Sequence, residues 1–501
     1  MNQAVQILLK NATTHIQKKE FQQSKELLFK AREIDHLDPS PLRLLAVVAA
    51  MEFEFHDALI LIDQVIELDP ENAIAYSNRG NILKELGKYE EALHALDIAI
   101  QLAPAYAEAY CNKGNVLQEL HRYEEALAWY DKAFTLNPHY AEAYSNKGNA
   151  LSLLHRHEQA MTHYIKAIEI DPRFIDSYWH MALVQLSLGD FHAGWQNYEA
   201  RWFKTHNLQF QFSEIPRLES LESILGKKVL IWSEQGLGDT LQFCRYIEPL
   251  FNLGAHITFA VPAQLAQVLG FLKQFCTLVV LGEEKVAEFD FQSPLLSLPL
   301  VFKTSLESIP NKIPYIQVDE EKKLLCSKEI QDSCNLKVGV IWNGGFRADH
   351  PELWAINKRR NIEFDEIAAL KDVPLVDFYS LQKGDPAESD FVMRKAQVWP
   401  NIINCAPLLN DFSDTAALMD CLDLIISVDT SSAHLAGALG RPVWILNRYD
   451  SCWRWLNDRE DSPWYPTAKI YQQTTPGDWN EVIARVKADL AILTQKKQAE
   501  I

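Results

Sequence analysis

The 501 residues carry 67 Asp+Glu against 48 Lys+Arg, a net charge of −19. A chain this long exceeds the roughly 250–300 residues at which a single core stops growing, so two or three domains are expected. With 48% hydrophobic and 23% charged residues wholesale disorder is excluded, and an acidic surface without a basic run argues against nucleic acid and anionic membranes.

The start, Met1-Asn2-Gln3-Ala4-Val5-Gln6, has neither the basic nor the apolar segment of a secretory signal. No apolar run reaches the roughly 18–20 residues a membrane helix needs. The eight cysteines are scattered, with no Cys-x-x-Cys spacing, so they read as reduced thiols without a metal role. A cytoplasmic location is the expectation.

The first half repeats. Pro70, Pro104, Pro138 and Pro172 recur every 34 residues, and Tyr76, Tyr110, Tyr144 and Tyr178 keep the same period. Gly80, Gly114 and Gly148 follow the first three tyrosines, with Ala182 in the fourth place. Ala58, Ala92, Ala126 and Ala160 recur, then Ala99, Ala133 and Ala167 before the prolines. Small residues belong where two helices of a hairpin cross closely, aromatics fill the neighbouring holes, and proline stops the second helix. These offsets resemble the tetratricopeptide repeat, which implies an α-solenoid with a surface for a protein or peptide partner. Asn78, Asn112 and Asn146 recur at one position, as do Asn81, Asn115 and Asn149. Such ladders either grip a peptide backbone or bond to the adjacent repeat, and peptide binding is the favoured reading. The pattern decays through Ile175–Trp202, read as a last hairpin and cap.

From Lys227 onward, strand and helix alternate. Lys228–Ser233 is an apolar run followed by Glu234-Gln235-Gly236-Leu237-Gly238-Asp239 and a helical stretch from Thr240 to about Leu253. His256–Val261 is a second strand. A second start at Lys337–Trp342 leads into Asn343, Gly344 and Gly345, with further strands at Leu375–Ser380, Leu424–Val428 and Val443–Leu446. Two strand–glycine loop–helix starts predict two Rossmann-like subdomains with covered parallel sheets, joined by Asp319–Asn335. Gly236-x-Gly238 is neither a dinucleotide fingerprint nor a Walker loop, and reads equally as a tight turn. Asp239 stands at a helix start on the C-terminal side of a strand, where such sheets bind ligands. Ser427-Val428-Asp429-Thr430-Ser431-Ser432-Ala433-His434 ends a strand and starts a small-residue helix, a phosphate cradle or else a plain N-cap. Trp453-Arg454-Trp455 and Trp464-Tyr465 either stack on a sugar or base, or plug the two subdomains together.

Taken together, Gly-x-Gly-Asp-x-Leu and Asp-Thr-Ser-x-x-His-Leu-Ala-x-Ala-Leu-Gly-x-Pro resemble the ADP-heptose:lipopolysaccharide heptosyltransferases, GT-B enzymes, over about Lys227–Leu490. The resemblance implies a metal-independent, inverting glycosyltransferase that uses a nucleotide-diphosphate sugar as donor substrate and no cofactor. It implies Asp239 as general base, Asp429 on the donor sugar, and Thr430, Ser431, Ser432 and His434 around the diphosphate. Arg359, Arg360 or Lys383 would neutralise the leaving phosphate, with Gly236, Gly238, Asn343 and Gly344 as supporting loops. Lys358–Arg360 reads equally as a solvated turn, and His434 as a core histidine. Ser431 replaces the family's glycine, and no repeats occur in those enzymes, so a lipopolysaccharide acceptor does not follow. The implied domains are a repeat array at 1–210, a linker at 211–226, an acceptor-side subdomain at 227–320, and a nucleotide-sugar subdomain at 321–501 with a C-terminal helix. A repeat scaffold whose α/β part only binds a phosphate ligand is the alternative.

Overall fold

The computed structural model describes residues 3–204, 211–282, 289–345 and 354–500. It divides into two compact units, Met1–Met181 and Ala182–Ile501.

The first unit is a stack of helix pairs: Gln3–Gln17 with Phe21–Ile34, Pro39–Met51 with Phe55–Leu68, Ala73–Glu85 with Tyr89–Leu102, Ala107–Glu119 with Tyr123–Leu136, and Ala141–Leu153 with His157–Ile170. The last four second helices stop at Leu68, Leu102, Leu136 and Ile170, two residues before each periodic proline, because proline disfavours helical backbone in the residue ahead of it. The recurrent glycines are required by close crossing. A methyl group on Gly114 would lie 2.5 Å from the Tyr130 ring, and one on Gly148 would lie 2.5 Å from Tyr164. The periodic alanines from Ala58 to Ala167 are fully buried. Tyr144 stacks on Phe134 with ring centres 4.5 Å apart.

The asparagine ladder corrects the favoured reading at Asn112. Asn112 is 4% exposed and donates to Ser77 Oγ of the preceding repeat at 3.0 Å. Asn146 donates to Asn115 Oδ1 at 3.0 Å. These amides bond repeat to repeat, so the buried Asn112 is committed inside the stack rather than offered to a peptide. Asn78 is partly exposed.

The second unit holds two parallel sheets. The first consists of β1 (Lys228–Trp232), β2 (His256–Val261), β3 (Cys276–Val280) and β4 (Phe291–Pro294), in the order β3-β2-β1-β4. The second consists of β5 (Leu336–Ile341), β6 (Val376–Ser380), β7 (Ile403–Asn404), β8 (Leu424–Val428), β9 (Val443–Asn447) and β10 (Ala468–Gln472), in the order β10-β9-β8-β5-β6-β7. Strand order reverses between β1 and β4, and between β5 and β8. Such switch points leave a crevice at the carboxyl ends of the strands. The second core gathers Val338, Val340, Ile426 and Val428 with Val482, Val486 and Leu490 of the helix Trp479–Glu500.

Two boundary expectations change. The helices Phe191–Tyr198 and Arg201–Lys204, assigned from sequence to the repeat array, lie in the second unit. The reason is burial: Trp195 meets Trp453 at 5.3 Å and Phe243 at 6.1 Å between ring centres. The expected linker at 211–226 is also packed structure. Ile215, Leu218 and Ile224 are buried, and Leu218 N donates to Gln292 O of β4 at 2.8 Å. No helix among the described residues is long and apolar enough to cross a membrane.

Candidate active site

The two switch points meet. The loop after β1 starts the helix Leu237–Phe243, and the loop after β8 starts the helix Ser431–Ala438. The first turns of these helices abut so closely that a methyl group on Gly238 would lie 2.8 Å from the His434 ring and 3.3 Å from Ser431 Cα. Here glycine is needed for approach, whatever the turn requires.

Asp239 caps its own helix. Its Oδ2 accepts from Gly236 N at 3.0 Å, while Oδ1 pairs with the Arg454 guanidinium. Arg454 also reaches Cys452 Sγ at 3.1 Å and lies over the Trp453 ring. Burial opposes the Arg454 charge, but the Asp239 carboxylate outweighs it and holds the guanidinium ionised.

Opposite, Thr430 occupies the N-cap position of Ser431–Ala438, yet no side chain caps that helix. The Thr430 hydroxyl turns back to Ser427 Oγ at 3.2 Å. The plain N-cap reading therefore fails, and the first-turn N–H groups of Ser431 and Ser432 have no side-chain cap. Ser431 and Ser432 are partly exposed, as is Asp429. An uncapped helix start at a switch point suits an anion.

The three candidate cations separate. Arg360 Nη1 donates to Asp429 O at 3.0 Å, and Nη2 donates to Asn357 Oδ1 at 2.5 Å. Its guanidinium also fills the space that a side chain at Gly344 would need. Arg359 instead pairs with Asp450 at 3.2 Å, tying its helix to the loop after β9. Lys383 is 52% exposed, donates to Ala406 O at 3.0 Å and pairs with Glu388 at 3.6 Å. Of the three, Arg360 is the one bonded to the Asp429 loop. Asn343 and Gly344 are held in place from behind. Gln382 Oε1 accepts from Asn343 N at 2.9 Å, and Gly344 N donates to Asn361 Oδ1 at 3.0 Å.

His434 is a core histidine. Its Nδ1 hydrogen-bonds the Tyr465 hydroxyl at 3.0 Å, and its ring stacks on Trp455 with centres 5.0 Å apart. Burial, partly offset by Asp429, pushes the imidazole down to about 4, so it brings no positive charge at neutral pH. The aromatic motif is the plug of the two alternatives. Trp453, Trp455, Trp464 and Tyr465 are all buried.

Sequence reading missed Arg454, Tyr198, Glu234 and Arg245. Tyr198 packs on Trp453 at 5.6 Å and donates to Gln235 Oε1 at 3.2 Å. The Glu234 side chain is buried just after β1, with Oε1 accepting from Arg201 Nη2 and from Leu296 N, each at 3.2 Å. Burial pushes its carboxyl up to about 7. Arg245 is buried and donates to Trp464 O at 2.8 Å, Pro310 O at 3.1 Å and the Tyr315 hydroxyl at 2.8 Å, joining the first-sheet part to the second. Arg454 was in view, but the tryptophans on either side drew the reading to the rings.

Residues 61–94, 80–121 and 105–173 match tetratricopeptide-repeat models. Residues 385–475 match the model of glycosyltransferase family 9 (heptosyltransferase). Protein FlbA of Caulobacter vibrioides is 26% identical over 343 residues, 62% of this chain and 54% of that protein. The chain thus spans about half the length of this curated relative. Among solved structures, MamA 41-end from Desulfovibrio magneticus RS-1 is similar over 35% of this chain and 98% of its own, with 21% identity and a TM-score of 0.29. TTC0263, a tetratricopeptide-repeat protein of Thermus thermophilus, covers 36% of this chain and 99% of its own, with 22% identity and a TM-score of 0.34. The chain joins tetratricopeptide repeats in its N-terminal part to a glycosyltransferase family 9 (heptosyltransferase) domain in its C-terminal part.

Proposed function

We propose that the protein is a cytoplasmic, metal-independent, inverting glycosyltransferase of GT-B type. It moves a sugar from a nucleotide-diphosphate donor to an acceptor hydroxyl or side chain, and the repeats recruit the protein or peptide acceptor or partner. The observation that carries the reading is the uncapped start of Ser431–Ala438, inside the family 9 match, with Arg360 bonded to the Asp429 carbonyl beside it.

In this reading the donor diphosphate lies against the N–H groups of Ser431 and Ser432, where a helix start stabilises negative charge. Arg360 is the cation that balances the charge developing on the leaving phosphate. Asp429 hydrogen-bonds the donor sugar. Asp239 takes the acceptor proton, which a positioned carboxylate can do. Each of its oxygens keeps a lone pair beyond those used by Gly236 and Arg454.

The test is a thermal-shift panel of UDP-, GDP-, ADP- and dTDP-sugars on the full chain, repeated on Asp429→Ala. Stabilisation of the wild type by one donor, weakened in the variant, supports the reading. Stabilisation by none of them removes its support. Binding without transfer to any hydroxyl acceptor would favour the scaffold alternative.

A further inference from the structure

Arg454 and Asp239 stand on segments that follow strands of different sheets, β9 and β1, and their side chains are 12% and 16% exposed. A pair so shielded is far more sensitive to loss of one partner than a surface pair. Arg454 is itself fixed: one nitrogen on Cys452 Sγ, one on Asp239, and the guanidinium 4.3 Å over Trp453. Trp453 is in turn wedged against Trp195 and Tyr198 of the helix Phe191–Tyr198. Asp239 is thus held from two directions, by its own helix start and by a cation delivered on an aromatic base.

We propose that Arg454 is a positioning residue for transfer: it holds the Asp239 carboxylate in one orientation at the meeting of the two switch loops. This rests on the transferase reading. In the step it serves, the acceptor O–H proton passes to Asp239 and the acceptor oxygen bonds to the anomeric carbon. The bond from that carbon to the diphosphate oxygen breaks, its electron pair remaining on the phosphate near Arg360. Guanidinium geometry matters, because the planar group reaches Asp239 with one nitrogen and Cys452 with another while lying over Trp453, which an ammonium cannot do.

The ionisable groups around the pair are Tyr198, Glu234 and Cys452, with Asp429, His434 and Arg245 beyond them. Glu234 titrates in the working range, so the experiment is run in Glu234→Gln background. In that full-length background, Arg454→Gln, Arg454→Lys, Asp239→Asn and the Arg454→Gln/Asp239→Asn double variant are compared with the nucleotide sugar that supports transfer. Measured are kcat, donor KM and the melting temperature.

Arg454→Gln is expected to lower kcat about 30-fold or more with donor KM within about threefold. Arg454→Lys is expected to keep donor KM in place with a reduced kcat. The double variant is expected to be no slower than Asp239→Asn alone, because the two residues act as one unit. Additive losses, or a loss confined to donor KM, would each overturn the proposal. If Arg454→Gln does not fold, Arg454→Lys decides: unchanged kcat overturns it. Absence of transfer by the parent protein with every sugar would instead defeat the transferase reading, and this proposal with it.

Discussion

Gly238 and His434 touch: a single methyl group on the glycine would stand 2.8 Å from the imidazole Cδ2. The imidazole cannot retreat, since it is stacked on Trp455 and bonded to Tyr465. Gly238→Ala is therefore expected to push the two helix starts apart, at a cost of about 1–3 kcal/mol typical of overpacking. The melting temperature should fall, and stabilisation by the donor should weaken at least several-fold. Undiminished donor binding at reduced stability would mean that the approach of the helices serves folding alone.

Arg360 and Lys383 make a paired comparison. Arg360→Met is expected to weaken donor binding at least tenfold, since it removes the cation bonded to the Asp429 loop. Lys383→Met, on a lysine turned to Glu388 and Ala406, should leave it within about twofold. Titration calorimetry with the stabilising nucleotide sugar measures both.

Glu234 gives a pH dependence with a definite sign. Its carboxyl is raised in the folded protein from 4.5 to about 7, with burial as the main cause. A group raised on folding contributes stability that is full below the unfolded value and is lost as pH climbs through the folded one. Between about pH 4.5 and 7 the loss approaches about 1.4 kcal/mol per pH unit. Glu234→Gln lacks this loss, so its melting temperature should gain on the wild type steadily from pH 5 to 7 and level off above. A constant difference would mean that the carboxyl does not titrate there.

Asn112→Ala removes the donor to Ser77 and leaves a small cavity inside the repeats. It should destabilise the first unit by about 1–3 kcal/mol. The partly exposed Asn78, changed to Ala, should stay within about 0.5 kcal/mol. Urea unfolding followed by far-ultraviolet circular dichroism distinguishes them.

Much of the fold was legible because it is periodic. Glycine, alanine and proline at 34-residue spacing leave few alternatives to stacked helical hairpins, and the glycines do meet Tyr130 and Tyr164 as close crossing requires. The strands β1, β2, β5, β6, β8 and β9 were readable as apolar runs before polar loops. β4 was not: Phe291-Gln292-Ser293-Pro294 looks like a turn, and becomes a strand by pairing in parallel with Val229–Trp232 of β1, where the Gln292 side chain also accepts from Trp232 Nε1 at 2.8 Å. The loops of the candidate site were visible, but the partners of their side chains were not. Nothing in the neighbourhood of Asp239 announces an arginine 215 positions later. The same holds for Asn112, whose two possible roles have identical sequence signatures and are separated only by where Ser77 lies.

Placing Phe191–Tyr198 in the second unit has a practical consequence for anyone dividing the chain. A fragment of the second unit begun after residue 210, as the repeat pattern suggests, would lose Trp195 and Tyr198 and strip the aromatic face from Trp453. The uncovered ring would invite aggregation, and the loop carrying Arg454 would lose its backing. A fragment begun at Ala182 keeps them all. The short helix that closes the repeats by sequence belongs, in the folded chain, to the second unit, and happens to be encoded early.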